Sequence, residues 1–198
     1  MINVDIQVDE AQLNDIKKRL GNLKNKAPTV LYRAINRAVR KAKTEAKDAA
    51  NEEYFIAKGN IEKTLRITKA SRSKLSAELT SRGGPIALTK FKVSPGHAVK
   101  RTKKGKPSPK AYKAAVKRDS GLKPLSGDPK AFFATMGSGH DGMMERISSR
   151  RLPLKQLYGP AVPSMIKNEE VIERIQKEAT ETLEKRIDAE INNILQRG

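Results

Sequence analysis

The feature that most constrains the fold is an apolar stripe that runs through residues 30–49. Val, Leu, Ile and Ala recur there at three- and four-residue spacing, and basic residues fill much of the remainder. This period is that of an amphipathic α-helix with one buried face. After Ala42 the stripe is rich in alanine, which permits close approach by another helix or a sheet. We therefore expect a long helix that begins at Pro28 or Thr29 and ends near residues 52–54.

The two ends of the chain carry equally regular patterns. Residues 2–8 alternate strictly between apolar and polar side chains, as in a half-buried strand. Asp9, with Gln12 three residues later, predicts a capped helix that stops at Gly21. A second, narrow apolar stripe predicts a C-terminal helix at about 164–196. Its spacing keeps no strict heptad, which favours one-sided packing over a long coiled coil.

Two hairpins are predicted in the middle of the chain. Residues 75–80 alternate, and a turn at Arg82-Gly-Gly-Pro85 leads into a second apolar stretch at residues 86–93. We expect these two stretches to pair. Residues 132–136 and 143–147 predict a second pair of strands around a glycine-rich turn.

Two further stretches have less regular patterns. Residues 112–116 are read as one helical turn, and three prolines within residues 151–163 predict a loop with apolar anchors. The expected fold class is α+β: two long helices packed on a small antiparallel sheet, with a basic Pro/Gly-rich extended loop. We expect one domain spanning residues 1–198.

Positive charge is concentrated in one block of the chain. The formal net charge is +19, and residues 79–118 contain twelve Lys or Arg and no Asp or Glu. Within this block, residues 95–110 lack apolar periodicity and predict a basic loop or arm. Lysine predominates, which suits contact with phosphate backbones or with an acidic protein surface, and charge alone does not separate the two. The candidate contact residues are Lys100, Arg101, Lys103, Lys104, Lys106 and Lys110.

Composition excludes several classes of protein. There is no cysteine, hence no disulfide and no thiolate metal site. No apolar run approaches the ~18 residues of a membrane-spanning helix, and the N-terminus lacks the pattern of a signal peptide, so synthesis in the cytosol is expected. Aromatic residues make up 4% of the chain, which disfavours single-strand binding by base stacking.

The chemical motifs are weak. Gly137, Gly139 and Gly142 match the letters of a dinucleotide fingerprint, but no βαβ context and no downstream acidic residue accompany them, so a hairpin turn is the better interpretation. His140 and Asp141 could form a metal site or an acid–base pair, yet few ligand-type residues cluster near them. No serine lies in a nucleophile elbow. We therefore predict no catalytic residue, no metal site and no cofactor.

Several short segments, in a consistent order, resemble the prophage minor tail protein Z family of tailed bacteriophages. The resemblance covers roughly residues 28–170, and its most specific part is the run Leu-Pro-Leu-Lys-Gln-Leu-Tyr-Gly-Pro-Ala-Val-Pro that begins at Leu152. The other segments are Ala34-Ile-Asn-Arg-Ala38, Ala42-Lys-Thr-Glu-Ala46, Glu53-Tyr54, Ser71-Arg-Ser-Lys-Leu75, Gly84-Pro-Ile86 with Phe91, and Ser138-Gly-His140.

This resemblance implies a structural protein of the virion and not an enzyme. Members of the family act in tail completion near the head-proximal end of the tail, where the tail joins the connector. Proteins at that position commonly form hexameric rings around the DNA channel. The implied partners are further copies of the chain, the tail tube or tail terminator, the connector and, by non-specific proximity, genomic DNA. The implied location is the virion tail, assembled in the host cytoplasm, with no membrane partner.

The proline-rich run suggests a second candidate site, which we call the interface segment (residues 152–163). Fixed φ angles and apolar anchors suit either a rigid contact between subunits or a loop that covers the core of its own subunit. The residues assigned to the contact are Leu152, Pro153, Leu157, Tyr158, Gly159, Pro160 and Pro163.

Three hypotheses follow. The first is a tail-completion ring protein, and the alternative is a monomeric basic nucleic-acid-binding accessory protein. The third, an enzyme that uses His140 and Asp141, has the least support from the residues.

Overall fold

The computed structural model describes residues 1–99, 111–125, 130–150 and 152–197. The fold is α+β, as the sequence predicts. The helices are α1 (Glu10–Leu20), α2 (Ala27–Glu53), α3 (Lys58–Glu62), α4 (Val162–Ile166) and α5 (Glu169–Arg197), with 3-10 helices at Gly21–Lys26 and Leu88–Lys90. The strands are β1 (Ile2–Gln7), β2 (Leu65–Thr68), β3 (Ser76–Ser81), β4 (Pro85–Ala87), β5 (Lys92–Ser94), β6 (Lys113–Ala115), β7 (Lys123–Pro124), β8 (Phe132–Thr135), β9 (Asp141–Arg146), β10 (Leu154–Gln156) and β11 (Tyr158–Ala161).

Helix α2 is the centre of the core. Its apolar stripe is buried along its length, and the alanines from Ala34 to Ala50 are at most 4% exposed. Helix α5 packs along α2, and the sheet of β1, β2 and β3 also contacts α2. Cross-helix pairs join Arg33 to Glu190 and Lys41 to Glu178, so the two helices run antiparallel. The predicted helix over the stripe is confirmed, with its first residue at Ala27.

The strand and the capped helix predicted at the N-terminus are also confirmed. Val4 and Ile6 of β1 are buried, and the polar residues that alternate with them, Asn3, Asp5 and Gln7, are exposed. The Asp9 carboxylate accepts the Gln12 N–H at 2.7 Å, and the Gln12 side-chain oxygen accepts the Asp9 N–H at 3.3 Å. This reciprocal capping box starts α1. Gly21, with φ +53°, ends it, in a conformation that glycine adopts without steric cost.

The first predicted hairpin is wrong. β3 pairs with β1 on one edge and with β2 on the other, both antiparallel, so it has no free edge for β4. The Arg82 N–H extends the β2 side by donating to the Thr64 carbonyl at 3.0 Å. β4 pairs instead with β11, which is distant in sequence. The second hairpin is confirmed, because β8 pairs with β9 from Phe132 opposite Met144 to Thr135 opposite Asp141.

The described residues form four small antiparallel sheets where the sequence analysis predicted one. Residues 112–116 are not a helical turn, because β6 lies between β5 and β7 and buries Ala114 and Ala115. The interface segment is not an irregular loop: it forms β10 and β11 and enters α4. Its prolines occupy permitted places, with Pro153 before β10, Pro160 at a register shift and Pro163 in the first turn of α4.

The C-terminal residues form two helices separated by a short break. Asn168 lies at this break, and its side-chain oxygen accepts the Glu170 N–H at 3.2 Å at the start of α5. The apolar stripe of α5, from Val171 to Ile191, is buried. None of the helices within the described residues is long and apolar enough to cross a membrane.

Candidate functional site

The six candidate residues of the basic arm, from Lys100 to Lys110, lie outside the described residues. The structure does describe both flanks of that stretch. The Tyr112 hydroxyl accepts the Val99 N–H at 3.3 Å and donates to the His97 carbonyl at 3.4 Å. Tyr112 is itself buried. The points where the chain enters and leaves residues 100–110 are therefore adjacent and anchored to the body of the protein.

The interface segment divides into outward and inward residues. Leu152 is 65% exposed and Tyr158 is 56% exposed. Pro153 is exposed as well, whereas Leu157, Gly159 and Pro160 are half-buried and Pro163 is buried. The outward residues are available for contact, and the inward residues attach the segment to the core.

Backbone hydrogen bonds hold the segment on both sides. The Leu157 N–H donates to the Met143 carbonyl at 2.7 Å, and the Leu157 carbonyl accepts the Leu88 N–H at 3.0 Å. Gly159 lies directly against Phe91, because a Cβ added there would be 2.5 Å from the ring carbon Cε2. Tyr158, placed between these two anchors, is presented in a fixed position. Its hydroxyl donates to Gln156 Oε1 at 3.3 Å.

An open groove of about 420 Å³ adjoins Tyr158. Its walls are largely apolar and come from strands β6 and β7 and from the interface segment. The rim includes Lys117, whose ammonium group pairs with Glu53 at 2.7 Å and so has a raised pKa. Sequence reasoning missed this groove, because its small apolar residues around Ala114 were read as helical. Residues 113–115 form a strand because β6 pairs with β5 and β7, and these partners cannot be inferred from the local sequence pattern.

A second exposed apolar site lies at the far end of the β9–β10 hairpin. Ile147 is 63% exposed, and its N–H donates to the Pro153 carbonyl at 3.4 Å. Ile147 and Leu152 therefore flank the stem of the same hairpin tip. Nearby, the Arg146 guanidinium lies 5.3 Å from the centre of the Phe132 ring, a cation–π distance.

The candidate catalytic pair has ordinary local partners. The Thr135 hydroxyl donates to Asp141 at 2.6 Å, which closes the β8–β9 turn. His140 Nε2 lies 3.3 Å from the amide nitrogen of Gln156. Within the described ranges no group of three or more His, Asp or Glu side chains could hold a metal ion. Gly139 and Gly142 belong to this hairpin and its turn, and no helix begins there.

Charged side chains are paired where α2 meets α5, at what we call the α2–α5 seam (Lys41, Glu45, Glu52, Arg174 and Glu178). Lys41 lies 3.3 Å from Glu45 Oε2 and 3.1 Å from Glu178. Arg174 Nε lies 2.5 Å from Glu45 Oε1, an ion contact without hydrogen-bond geometry, and its guanidinium also pairs with Glu52. Because the side chain of Glu45 is only 6% exposed, these two cations compensate a largely buried carboxylate.

The seam also shifts the pKa values of its more exposed members. A hydrogen bond from Arg174 is the main reason that the pKa of Glu52 lies below its usual value. Lys41 lowers the pKa of Glu178 in the same way, and the pKa of Lys41 is raised in return. These charges are paired within the subunit.

The described residues thus combine exposed apolar side chains beside anchored strands with excess positive charge on an α+β body. In a comparison with family models, the model described as prophage minor tail protein Z (GPZ) matches residues 12–197. The chain therefore belongs to the prophage minor tail protein Z family and is a structural component of a bacteriophage tail. The match confirms the resemblance seen in residues 28–170 and extends it over nearly all of α1 and all of α5. Searches of curated proteins and of solved structures found no match.

Proposed function

We propose that the chain is a single-domain subunit of a ring, with six copies, that completes the tail at its head-proximal end around the DNA channel. Membership of a structural tail family supports a role in assembly with other virion proteins. The tail tube or tail terminator would lie on one side of the ring and the connector on the other. The observation that carries the proposal is the exposure of three side chains beside hydrogen-bonded strands: Ile147 directly after β9, Leu152 shortly before β10 and Tyr158 at the start of β11.

A closed ring needs two different, complementary surfaces on each subunit. Ile147 and Leu152, which flank the stem of the β9–β10 hairpin tip, supply exposed apolar side chains, and the groove beside Tyr158 supplies a concave surface. We propose that the tip of one subunit enters the groove of the next. Exposed Tyr is typical of contact residues at interfaces, because it buries a large area while its hydroxyl keeps a polar partner.

Light scattering after size-exclusion chromatography tests the ring, with the chain alone and with purified tail tubes. We expect a closed oligomer alone or on the tubes, and we expect Leu152→Ser with Tyr158→Ser to abolish it. Leu195→Ser is the matched control, since Leu195 is 48% exposed on α5 but lies outside both surfaces. A wild-type chain that stays monomeric and ignores the tubes, yet binds duplex DNA tightly at low salt, would favour the monomeric accessory protein.

The docking of tip into groove has a direct test, because the chain contains no cysteine. Leu152→Cys and Leu122→Cys chains are prepared separately and mixed under oxidising conditions. Leu122 is 38% exposed and lies between groove residues Ser120 and Lys123. We expect crosslinked pairs that contain one chain of each kind, and none when Leu195→Cys replaces Leu152→Cys. Equal yields from the two mixtures would contradict the docking.

For the basic arm we propose contact with an acidic ring partner or with DNA in the channel. The contact residues would be Lys100, Arg101, Lys103, Lys104, Lys106 and Lys110. Changing the first five to Gln is expected to impair the joining of tails to heads, measured as the yield of infectious particles in a complementation assay. If tails joined to heads normally with this variant, the arm would act only as a solubilising segment.

A further inference from the structure

We infer that one face of α2, together with the turn that follows β2, binds the phosphate backbone of duplex DNA. We call it the basic face: Lys26, Arg37, Arg40, Lys69 and Arg72. All five residues are exposed. Within the parts of the chain that the structure describes, none of them has a carboxylate within 4.0 Å. This site lies outside the basic arm and outside both proposed ring surfaces.

The helical part of the basic face is a continuous row. Arg37 follows Arg33 by four residues and Arg40 follows Arg37 by three, so the three side chains lie on one side of α2. Lys26 lies directly before the first turn of α2, on the same side of the helix as these three arginines. From Lys26 to Arg40 the helix rises about 21 Å, long enough to present several cations to the phosphate backbone of a duplex. Arg33 differs from the others because it pairs with Glu190 at 3.2 Å.

A side-chain clamp attaches the turn to the helix. The Asn36 amide donates to the Ala70 carbonyl at 2.9 Å, and the Ala70 N–H donates to the Asn36 oxygen at 2.9 Å. This clamp places Lys69 and Arg72 beside the helical row.

The two chain segments also meet at a shared depression. A pocket of about 300 Å³ is lined by Lys26, Arg33 and Arg72 among others. The pKa of Tyr32 is lowered, mainly by a hydrogen bond from Arg33 and then by the charges of Arg33 and Arg72. Helix and turn therefore form one positively charged surface.

The chemistry of this surface favours phosphate over an acidic protein. The exposed large apolar residues of the described chain are Met1, Leu122, Ile147, Leu152, Tyr158 and Leu195, and none belongs to α2 or to residues 65–74. The centre of a protein–protein contact is enriched in apolar and aromatic residues, which this surface lacks. Exposed hydroxyls instead accompany the cations, at Thr44, Ser71 and Ser73. Arg, Lys, Ser and Thr side chains make most contacts to DNA backbones.

This inference concerns the isolated subunit, so it does not depend on ring formation. The test is the binding of a short fluorescent DNA duplex, measured by anisotropy over a series of salt concentrations. The face variant carries Arg37→Gln, Arg40→Gln and Arg72→Gln. The matched control carries Lys17→Gln, Lys18→Gln and Lys177→Gln, which removes three exposed positive charges from α1 and α5. Circular dichroism and thermal melting verify that both variants fold.

We expect the face variant to bind about tenfold more weakly or worse, and the slope of log K against log salt to fall by about 0.9 for each phosphate contact removed. The control should resemble the wild-type chain. Replacing the same three arginines with Lys should keep most of the affinity, since backbone contacts require charge more than geometry.

Three results would overturn the inference. The first is an equal loss of DNA affinity in the face variant and the control, which would show that binding depends on the net charge of the chain and not on this face. The second is a loss confined to the variant of the basic arm. The third is a wild-type chain that does not bind the duplex at low salt, which would favour an acidic protein as partner. Oligomeric state is measured separately. A monomer that binds DNA through the basic face would therefore support this inference and contradict the proposed ring.

Discussion

The α2–α5 seam and the basic face lie along the same helix and use the same residue types in opposite ways. At the seam, Lys41 and Arg174 face four carboxylate contacts within 4.0 Å, two of them to the largely buried Glu45. On the basic face, Arg37 and Arg40 have no such contact among the described residues. Arg40 and Lys41 are consecutive residues that point to different faces of α2, so the open and the paired charges are separated by helix face and not by distance along the chain.

This difference separates stabilising charge from available charge. Cations that pair inside the subunit satisfy buried carboxylates and help to fix how α5 lies on α2. Neighbouring cations without partners repel one another and contribute nothing to folding. A net charge of +19 therefore does not describe one uniform basic surface. The arrangement predicts that substitutions at the seam reduce stability and substitutions on the basic face reduce binding.

The largest expected effect comes from the apolar interior beneath the seam. Ile175 is fully buried on α5, one residue after Arg174. Ile175→Ala should lower the free energy of unfolding by about 3 kcal/mol, because it removes buried methyl groups and leaves a cavity. Urea denaturation measures this. Ile172→Ala, at a half-buried position one turn earlier, should cost clearly less, and equal costs would contradict the packing of α5 on α2.

The seam and the basic face can be compared directly through the stabilities of two variants, Arg174→Ala at the seam and Arg37→Ala on the basic face. Loss of Arg174 leaves Glu45 with Lys41 alone and should lower the free energy of unfolding by about 2 kcal/mol. Loss of Arg37 should change it by less than about 0.5 kcal/mol, as for an ordinary surface position. Both are measured by urea denaturation at neutral pH. Comparable losses in the two variants would erase the proposed distinction.

Helices and their caps could be predicted from sequence because their signals are local. The stripe of α2 and the capping box of Asp9 and Gln12 require only neighbouring residues along the chain. Strand partners are not local in this way. β4 pairs with β11, and the alternation of residues 75–80 showed that β3 is a strand without showing that both its edges are occupied.

The candidate sites illustrate the same limit. The family resemblance drew attention to Leu152 and Tyr158, but their exposure depends on which strands hold the segment. Counting charge along the chain selected residues 79–118 and overlooked the basic face. That face joins Lys26 and α2 to Arg72, which lies two residues after the clamp between Asn36 and Ala70. A surface assembled from distant segments produces no charge run in the sequence.

The clamp permits a smaller and more selective test. Asn36→Ala removes two hydrogen bonds to Ala70 and should lower the free energy of unfolding by about 1 kcal/mol. It should also weaken DNA binding, because Lys69 and Arg72 would no longer be held beside α2. Thr180→Ala, at an exposed position of α5 outside the basic face, is the control. An Asn36→Ala chain with unchanged DNA affinity would show that the turn contributes nothing to the basic face.

The smallest expected effect is the response of the seam to acid. Arg174 holds the pKa of Glu52, and Lys41 that of Glu178, below the ordinary value of 4.5. A carboxylate with a depressed folded-state pKa contributes stability that is present above pH 4.5 and is lost as pH falls through the folded-state value. Urea denaturation between about pH 6 and pH 3 should therefore show falling stability. Arg174→Ala should lose less over this range, because the pKa of Glu52 returns toward its ordinary value, whereas Arg37→Ala should parallel the wild-type chain. Parallel curves for all three chains would contradict the prediction, because they would show that the ion pairs of the seam do not couple folding to pH. In that case Arg174 would affect stability no more than an unpaired cation of the basic face, despite its short distances to Glu45 and Glu52.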